Sequence, residues 1–439
     1  MSGARSEIGK AISKLYGQLE QSQWMTGADL VRAQHRQLVA LATHCARHSP
    51  YFRARLEASG LMPGDLSTPE GLARLAPFGR RDLQSAKGFY CDAIPRGHGP
   101  LTETRTSGST GEPVMVKRTG HNGLYWHGFT LREHFWHERD VQGRFCAIRA
   151  NVSDITRAPD WGRPMNLLFE TGPLLVIPVT VAIGEQFDLI GDFAPDILLA
   201  YPSILSALIR ESEARGVRLD SIRHLRTVGE TVSPSLRAEA RAHFGLEIAD
   251  TYSSQEMGIV ALQCPQSTSY HVMAEAVIVE ILRKDGSVCA PGEAGRMVVT
   301  DLQNFATPMI RYDIGDWAEA GGTCACGRGL PTLSRIFGRE RNLILMPDGT
   351  RHWPLVGFDR FREIAPVRQY QFIQNDRQNI EVRLVTERPL DAREEEALSA
   401  HMQKALGHPF ALRFIYFEDA IPAGANGKFE EFICRAGDS

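Results

Sequence analysis

The sequence predicts an α/β protein: a large N-terminal domain with helix-covered sheets over residues 1–337, followed by a small α+β domain over residues 338–439. Three observations point there. Short apolar segments alternate with amphipathic ones between Leu174 and Tyr252; a hairpin pattern then replaces the alternation; and beyond Gly338 a second strand and helix set begins, at about 100 residues long enough to form a domain of its own.

Taken in order, residues 1–90 place apolar side chains at helical spacing, as in LVRAQHRQLVALATHCARH, and predict a mainly helical region. The run LLVIPV from Leu174 reads as a buried strand, Glu185 to Phe193 as a helix, ILLAY as a strand and Leu208 to Arg215 as a helix. HLRTVG is the next strand. Ser233 as N-cap and Pro234 at the first helical position then start a helix that Gly245 closes, before the strand LEIADTY. Such alternation favours a largely parallel sheet, whose ligands bind beyond the carboxyl ends of the strands. AVIVEIL and GRMVVT, separated by KDGSVCAPGEAG, read as a hairpin. The small domain follows from YQFIQ, IEVRLVTE, the charged helix DAREEEALSAHMQKALG and FALRFIYFE.

Composition narrows the function. With 49 Lys and Arg against 52 Asp and Glu, the formal charge of -3 provides no field for nucleic acid. The N-terminus lacks the apolar centre of a signal peptide. The longest apolar stretch, near Leu174 to Ile183, is broken by Pro178 and falls short of the roughly 20 residues that a membrane helix needs. A cytoplasmic protein with no membrane span is therefore expected, and its eight cysteines read as reduced thiols.

The segment from Thr104 to Lys117, TRTSGSTGEPVMVK, gathers hydroxyls and glycines whose freed backbone amides can surround phosphate oxygens. It lacks the spacing of a Walker A loop, and taken alone it reads equally as a surface turn. Further along come AYPSILSAL, VGET, TYSSQEMG, TPMIRYDIGD, RIFGRERN and NGKF. In this order the seven segments resemble the motifs of the adenylate-forming superfamily, most closely its phenylacetate-CoA ligase-like, AMP-binding branch, over about residues 45 to 430.

That resemblance implies an ATP-dependent ligase. It would activate a carboxylic acid, expected to be aromatic, to an acyl adenylate and then pass the acyl group to coenzyme A. A carrier-protein thiol or an amine is the alternative acceptor, and a non-catalytic nucleotide-binding homologue is the other reading. By the same resemblance Ser107, Gly108, Ser109, Thr110 and Gly111 wrap the ATP phosphates, with Glu112 standing where the family often has a basic residue, so that Lys117 or magnesium would balance the charge. Tyr252 would stack on adenine, and Glu256 would hold Mg2+, a task suited to a carboxylate, although alone it reads as a loop acid. Glu230 would lie beside the adenine pocket or cap a turn. Asp316 would accept the ribose hydroxyls, and Arg339 would close over the ribose or phosphate or form a surface ion pair.

The small domain would be a mobile lid hinged near Arg341, where the family usually has an acid or a lysine. Its Lys428, otherwise a solvated terminal lysine, would supply the cation that stabilises charge during adenylation. Tyr125, Trp126, Phe129 and Tyr201 are candidates for the acid pocket, although aromatics more often fill cores.

Cys264, His271, Cys324 and Cys326 offer three thiolates and an imidazole, a set that suits tetrahedral zinc or reads as unrelated thiols. CACGR resembles the CxCGR segment of the same branch, which implies structural Zn2+. The expected partners are thus a small acid, ATP and a thiol acceptor, with a homodimer left open.

Overall fold

The computed structural model describes residues 7–85, 87–105, 114–339, 343–349, 351–352, 361–418, 421–422 and 429–436. Contacts divide the chain into two compact units, Met1–Val232 with Leu236–Ile336, and Ser233–Ser235 with Phe337–Ser439.

The first unit begins with α1 (Glu7–Ser22), α2 (Gly27–His48), α3 (Pro50–Ala58), α4 (Pro69–Ala73) and α5 (Arg80–Ser85). Local chemistry sets their ends. Thr26 accepts the Asp29 N–H at the start of α2, and Ser49 accepts the Phe52 N–H with Pro50 in the first turn of α3. A hairpin of β1 (Leu101–Arg105) and β2 (Met115–Thr119) leads into α6 (Gly120–Trp136).

The α/β part follows: β3 (Phe145–Arg149), β4 (Thr156–Ala158), β5 (Leu174–Pro178), α7 (Ile183–Phe193), β6 (Ile197–Ala200), α8 (Pro202–Arg215), β7 (His224–Val228), α9 (Pro234–Phe244) and β8 (Ile248–Ser254). Then come β9 (Gly258–Gln263), β10 (Tyr270–Val272), β11 (Val277–Leu282), β12 (Ala294–Asp301), β13 (Tyr312–Ala320) and β14 (Thr332–Arg339).

Among the described residues these strands form one twelve-stranded sheet in the order β11-β12-β13-β14-β10-β9-β8-β7-β6-β3-β5-β4. Strands β5, β3, β6, β7 and β8 run parallel. Beyond β8 the pairs β8 with β9, β9 with β10, β10 with β14, β11 with β12 and β12 with β13 are antiparallel, so the sheet is only partly of the parallel kind that the alternation predicts. Side chains of β3 alternate between two cores: Cys146 and Ile148 pack with Phe187, Leu208 and Ala240 of α7 to α9, while Phe145 and Ala147 pack with Ile12 of α1 and Leu131 of α6. Burial on both faces is why these strands read as continuous apolar runs. The parallel strands start at β3, ahead of the Leu174 strand at which the sequence reading begins, because FCAI is only a four-residue apolar run between Arg144 and Arg149.

The second unit holds the hairpin β15 (Ile344–Leu345) with β16 (Arg351–His352), then α10 (Phe361–Ile364), β17 (Val367–Gln374), β18 (Asn379–Thr386), α11 (Ala392–Leu406), β19 (Ala411–Phe417) and β20 (Phe432–Cys434). The last four strands form a sheet in the order β19-β18-β17-β20, and Leu398, Met402 and Leu406 of α11 pack with Phe372, Val382 and Leu384 in its core. Asp391 accepts the Arg393 and Glu394 N–H groups, Glu394 returns to the Asp391 N–H, and Gly407 at φ 71° ends the helix.

Candidate active site

Strands β8 and β9 are joined by Gln255, Glu256 and Met257, with Ser254 opposite Gly258. Gly258 sits at φ 81°, which a three-residue hairpin loop requires, and the Ser254 Oγ accepts the Met257 N–H at 3.0 Å. This turn holds Glu256 at 4% exposure with the Arg80 guanidinium 3.5 Å from its carboxylate. Arg118 adds a second positive charge nearby, but with Arg80 no closer than 3.5 Å the buried carboxylate retains oxygen lone pairs for a hard cation such as Mg2+.

Met257, Gly258 and Ile259 continue directly from Glu256 into the wall of a cavity of about 250 Å³. Its other walls come from α6, with Gly120, Asn122, Tyr125, Trp126 and Phe129, and from Arg118, Val277 and Asp301. The surface is mostly apolar with a few converging polar groups, the usual character of a small-molecule site. Burial pushes the Asp301 carboxyl up to about 6, against the opposing effect of the Gln303 amide and Arg118. Burial also lowers Arg118, and with the charges of Glu275 and Asp301 it raises the Tyr125 phenol to about 12. Tyr125 therefore stays a protonated donor at neutral pH.

The remaining candidates are placed as follows. The Tyr252 hydroxyl on β8 donates to Asp316 Oδ2 on β13 at 2.5 Å, joining residues that lie four strands apart in the sheet order. Glu230 accepts the Ser203 N–H at 2.9 Å and its hydroxyl at 3.0 Å, so part of its work is to cap the first turn of α8. Arg339 ends β14. Tyr201 is not in the cavity wall: it precedes α8, and its hydroxyl accepts the Ala150 N–H at 3.3 Å.

Lys117 lies 3.6 Å from Glu103 and over the Tyr90 ring, whereas the neighbouring Arg118 donates to the Gln255 carbonyl beside Glu256. Ser107, Gly108, Ser109, Thr110, Gly111 and Glu112 lie between the paired residues Arg105 and Met115 and outside the described residues, as do Arg341 and Lys428.

Cys264 just after β9, His271 on β10 and Cys324 and Cys326 before β14 converge, with their ligand atoms all within 4.8 Å of one another. The Cys264 and Cys324 sulfurs are 3.7 Å apart, and the Cys326 sulfur is 3.2 Å from His271 Nε2. A tetrahedron with Zn–S bonds of about 2.3 Å has sulfur–sulfur edges of about 3.8 Å, so the donor set fits zinc. Burial holds His271 down at about 4, leaving a neutral imidazole to present Nε2.

Sequence reading missed Arg80, Arg118, Asn122 and Asp301. Their signals were faint: a Lys-Arg pair after the glycine loop, and an acid at the end of a strand otherwise read for its hairpin.

The chain resembles known proteins in both sequence and fold. Residues 90–307 match the AMP-binding enzyme family model, and residues 358–435 match that of the CapK C-terminal domain. The chain is 28% identical over 311 residues to the phenylacetate-coenzyme A ligase of Pseudomonas putida, covering 69% of each chain. It is 26% identical over 328 residues to that of Escherichia coli, covering 72% of this chain and 73% of the other. Its fold is similar to that of 2-hydroxyisobutyryl-CoA ligase in the postadenylation state, with a TM-score of 0.76, 15% identity and coverage of 94% and 91%. Together these matches support membership of the adenylate-forming superfamily, in its phenylacetate-CoA ligase-like, AMP-binding branch.

Proposed function

We propose that the protein is an AMP-forming acid–CoA ligase that activates an aromatic carboxylic acid with ATP and transfers the acyl group to coenzyme A. One observation carries this reading: Glu256 adjoins in sequence the residues Met257 to Ile259 that wall an aromatic-lined cavity, so a metal–phosphate site and an acid pocket share one hairpin. Glu256 would hold magnesium, which when bound neutralises phosphate charge. Tyr252 and Asp316 would position the nucleoside, and the backbone of residues 107–111 would cradle the phosphates. The acid carboxylate attacks the α-phosphate and pyrophosphate leaves, with Lys428 stabilising the accumulating charge. The thiol of coenzyme A then attacks the acyl carbonyl and AMP leaves. The four Cys and His side chains would hold zinc in a closed, structural site, since four protein ligands leave no open position.

The test is pyrophosphate release across a panel of aryl and alkyl acids, repeated with coenzyme A and with Glu256→Gln. The expected result is release that depends on an aryl acid, thioester formed with coenzyme A, and loss of both in the variant. Release without thioester would move the acceptor to a carrier protein or an amine. No acid-dependent release would refute the enzymatic reading.

A further inference from the structure

The cavity contains a hydrogen-bond acceptor that the protein leaves incompletely used. Asp301 is the last residue of β12, directly opposite Val277 of β11, and is 3% exposed. Its Oδ1 accepts the Gln303 N–H at 2.8 Å, and the Asn304 N–H also favours the charged carboxylate. Its Oδ2 has Asn122 Nδ2 at 3.5 Å, the far limit of a hydrogen bond. The nearby Arg118 favours its charge but forms no ion pair with it, since that guanidinium donates to the Gln255 carbonyl.

Two donors stand beside it. The Asn122 side-chain oxygen is committed to the start of α6, accepting the Thr119 N–H at 3.1 Å and its hydroxyl at 3.2 Å, and that turns the amide nitrogen toward Asp301. Tyr125 brings its phenol to the same wall. The cavity thus offers an acceptor and donors together among apolar side chains, and a ring substituent that both donates and accepts would satisfy them.

We infer that Asp301 and Asn122 select an aromatic acid bearing a hydroxyl or amino substituent, whose proton is donated to Asp301 Oδ2. This rests on the reading of the cavity as the acid pocket. An unsubstituted ring would press a buried carboxylate against hydrocarbon, which is unfavourable. A second carboxylate on the substrate would face Asp301 and be repelled, because Arg118 and Arg80 are already set against Asp301 and Glu256.

The test compares kcat/KM for acid-dependent pyrophosphate release between unsubstituted benzoic, phenylacetic and cinnamic acids and their hydroxy, amino and methoxy derivatives at each ring position. For at least one position the hydroxy or amino acid should be preferred over its parent by roughly 10- to 100-fold, the range for a hydrogen bond to a charged group. The methyl ether, which keeps the oxygen and loses the proton, should be rejected to a similar degree. In Asp301→Asn, which can still accept the Gln303 N–H, the ratio of hydroxy or amino acid to parent should fall toward one. Parent acids used as well as every derivative by the wild type would overturn the inference while leaving the ligase reading intact, as would an unchanged ratio in Asp301→Asn. The methyl ether result decides the matter in the wild-type protein even where the variant fails to fold. If no acid of any series releases pyrophosphate, it is the ligase reading that fails.

Discussion

The two halves of α6 bury charge in opposite ways. The second half contains Glu133, whose carboxylate forms ion pairs at 2.7 Å with both Arg139 and Arg226. Burial pushes this carboxyl up, but the two guanidiniums outweigh it and hold it well below the ordinary range. The first half faces Asp301, buried as deeply, which has backbone amides of Gln303 and Asn304 but no direct counter-ion among the described residues, and a pKa raised to about 6. A buried charge with two direct counter-ions is complete and serves the fold, whereas one left short of partners is open to a ligand.

The largest effect is expected from Glu133→Gln, which leaves two buried guanidiniums without their counter-ion. Denaturant unfolding should show a loss of about 3 to 5 kcal/mol, with pyrophosphate release per folded molecule retained. Intact stability with lost activity would instead make the second half of the helix part of the active site.

Asp301→Asn should do the reverse and depend on pH. The native carboxyl binds its proton more tightly than the unfolded one, about 6 against 3.8, so its favourable contribution is present below pH 3.8 and lost as pH rises through 6. Above pH 6 the variant should therefore be the more stable by up to about 3 kcal/mol, and the gap should close toward pH 4. Unfolding curves at both ends check this, and a gap independent of pH would erase the distinction from Glu133.

The Cys264, His271, Cys324 and Cys326 cluster extends the contrast to a third arrangement, donors that a bound ion would complete. Cys324→Ser should lower bound zinc measured by metal analysis, and a hundredfold loss of metal affinity would remove about 2.7 kcal/mol of stabilisation. Wild-type protein prepared without chelator and lacking stoichiometric zinc would discard the site.

The smallest effect belongs to Tyr125→Phe, because no hydrogen bond of its hydroxyl appears among the described residues. Stability should change by less than about 0.5 kcal/mol. The KM for a substituted acid should rise by up to roughly tenfold, equivalent to about 1.4 kcal/mol. An unchanged KM would place the phenol outside the substrate's reach.

Much of the chain was legible because its signals are local. Ser233, Pro234 and Gly245 bracket α9, Asp391 and Gly407 bracket α11, and the periods of apolar residues mark the strands between them. Gly258 in TYSSQEMG marks the turn that presents Glu256, since only a residue tolerant of positive φ closes that loop easily. The hairpin of β1 and β2 escaped notice because its strands are short and mostly polar, and what identifies them is pairing with each other.

By itself the sequence determined the order of elements and the residue types able to handle phosphate, metal and an aromatic acid, because capping, turn chemistry and periodicity act over a few neighbours. Only the tertiary structure decided that Arg118, Asn122 and Asp301 share one wall, that Tyr201 does not belong to it, and that Tyr252 reaches Asp316 across the sheet. The reason is physical. Whether a buried polar group is satisfied depends on distant residues brought within about 3 Å of it, and that distance is fixed by packing rather than by spacing along the chain.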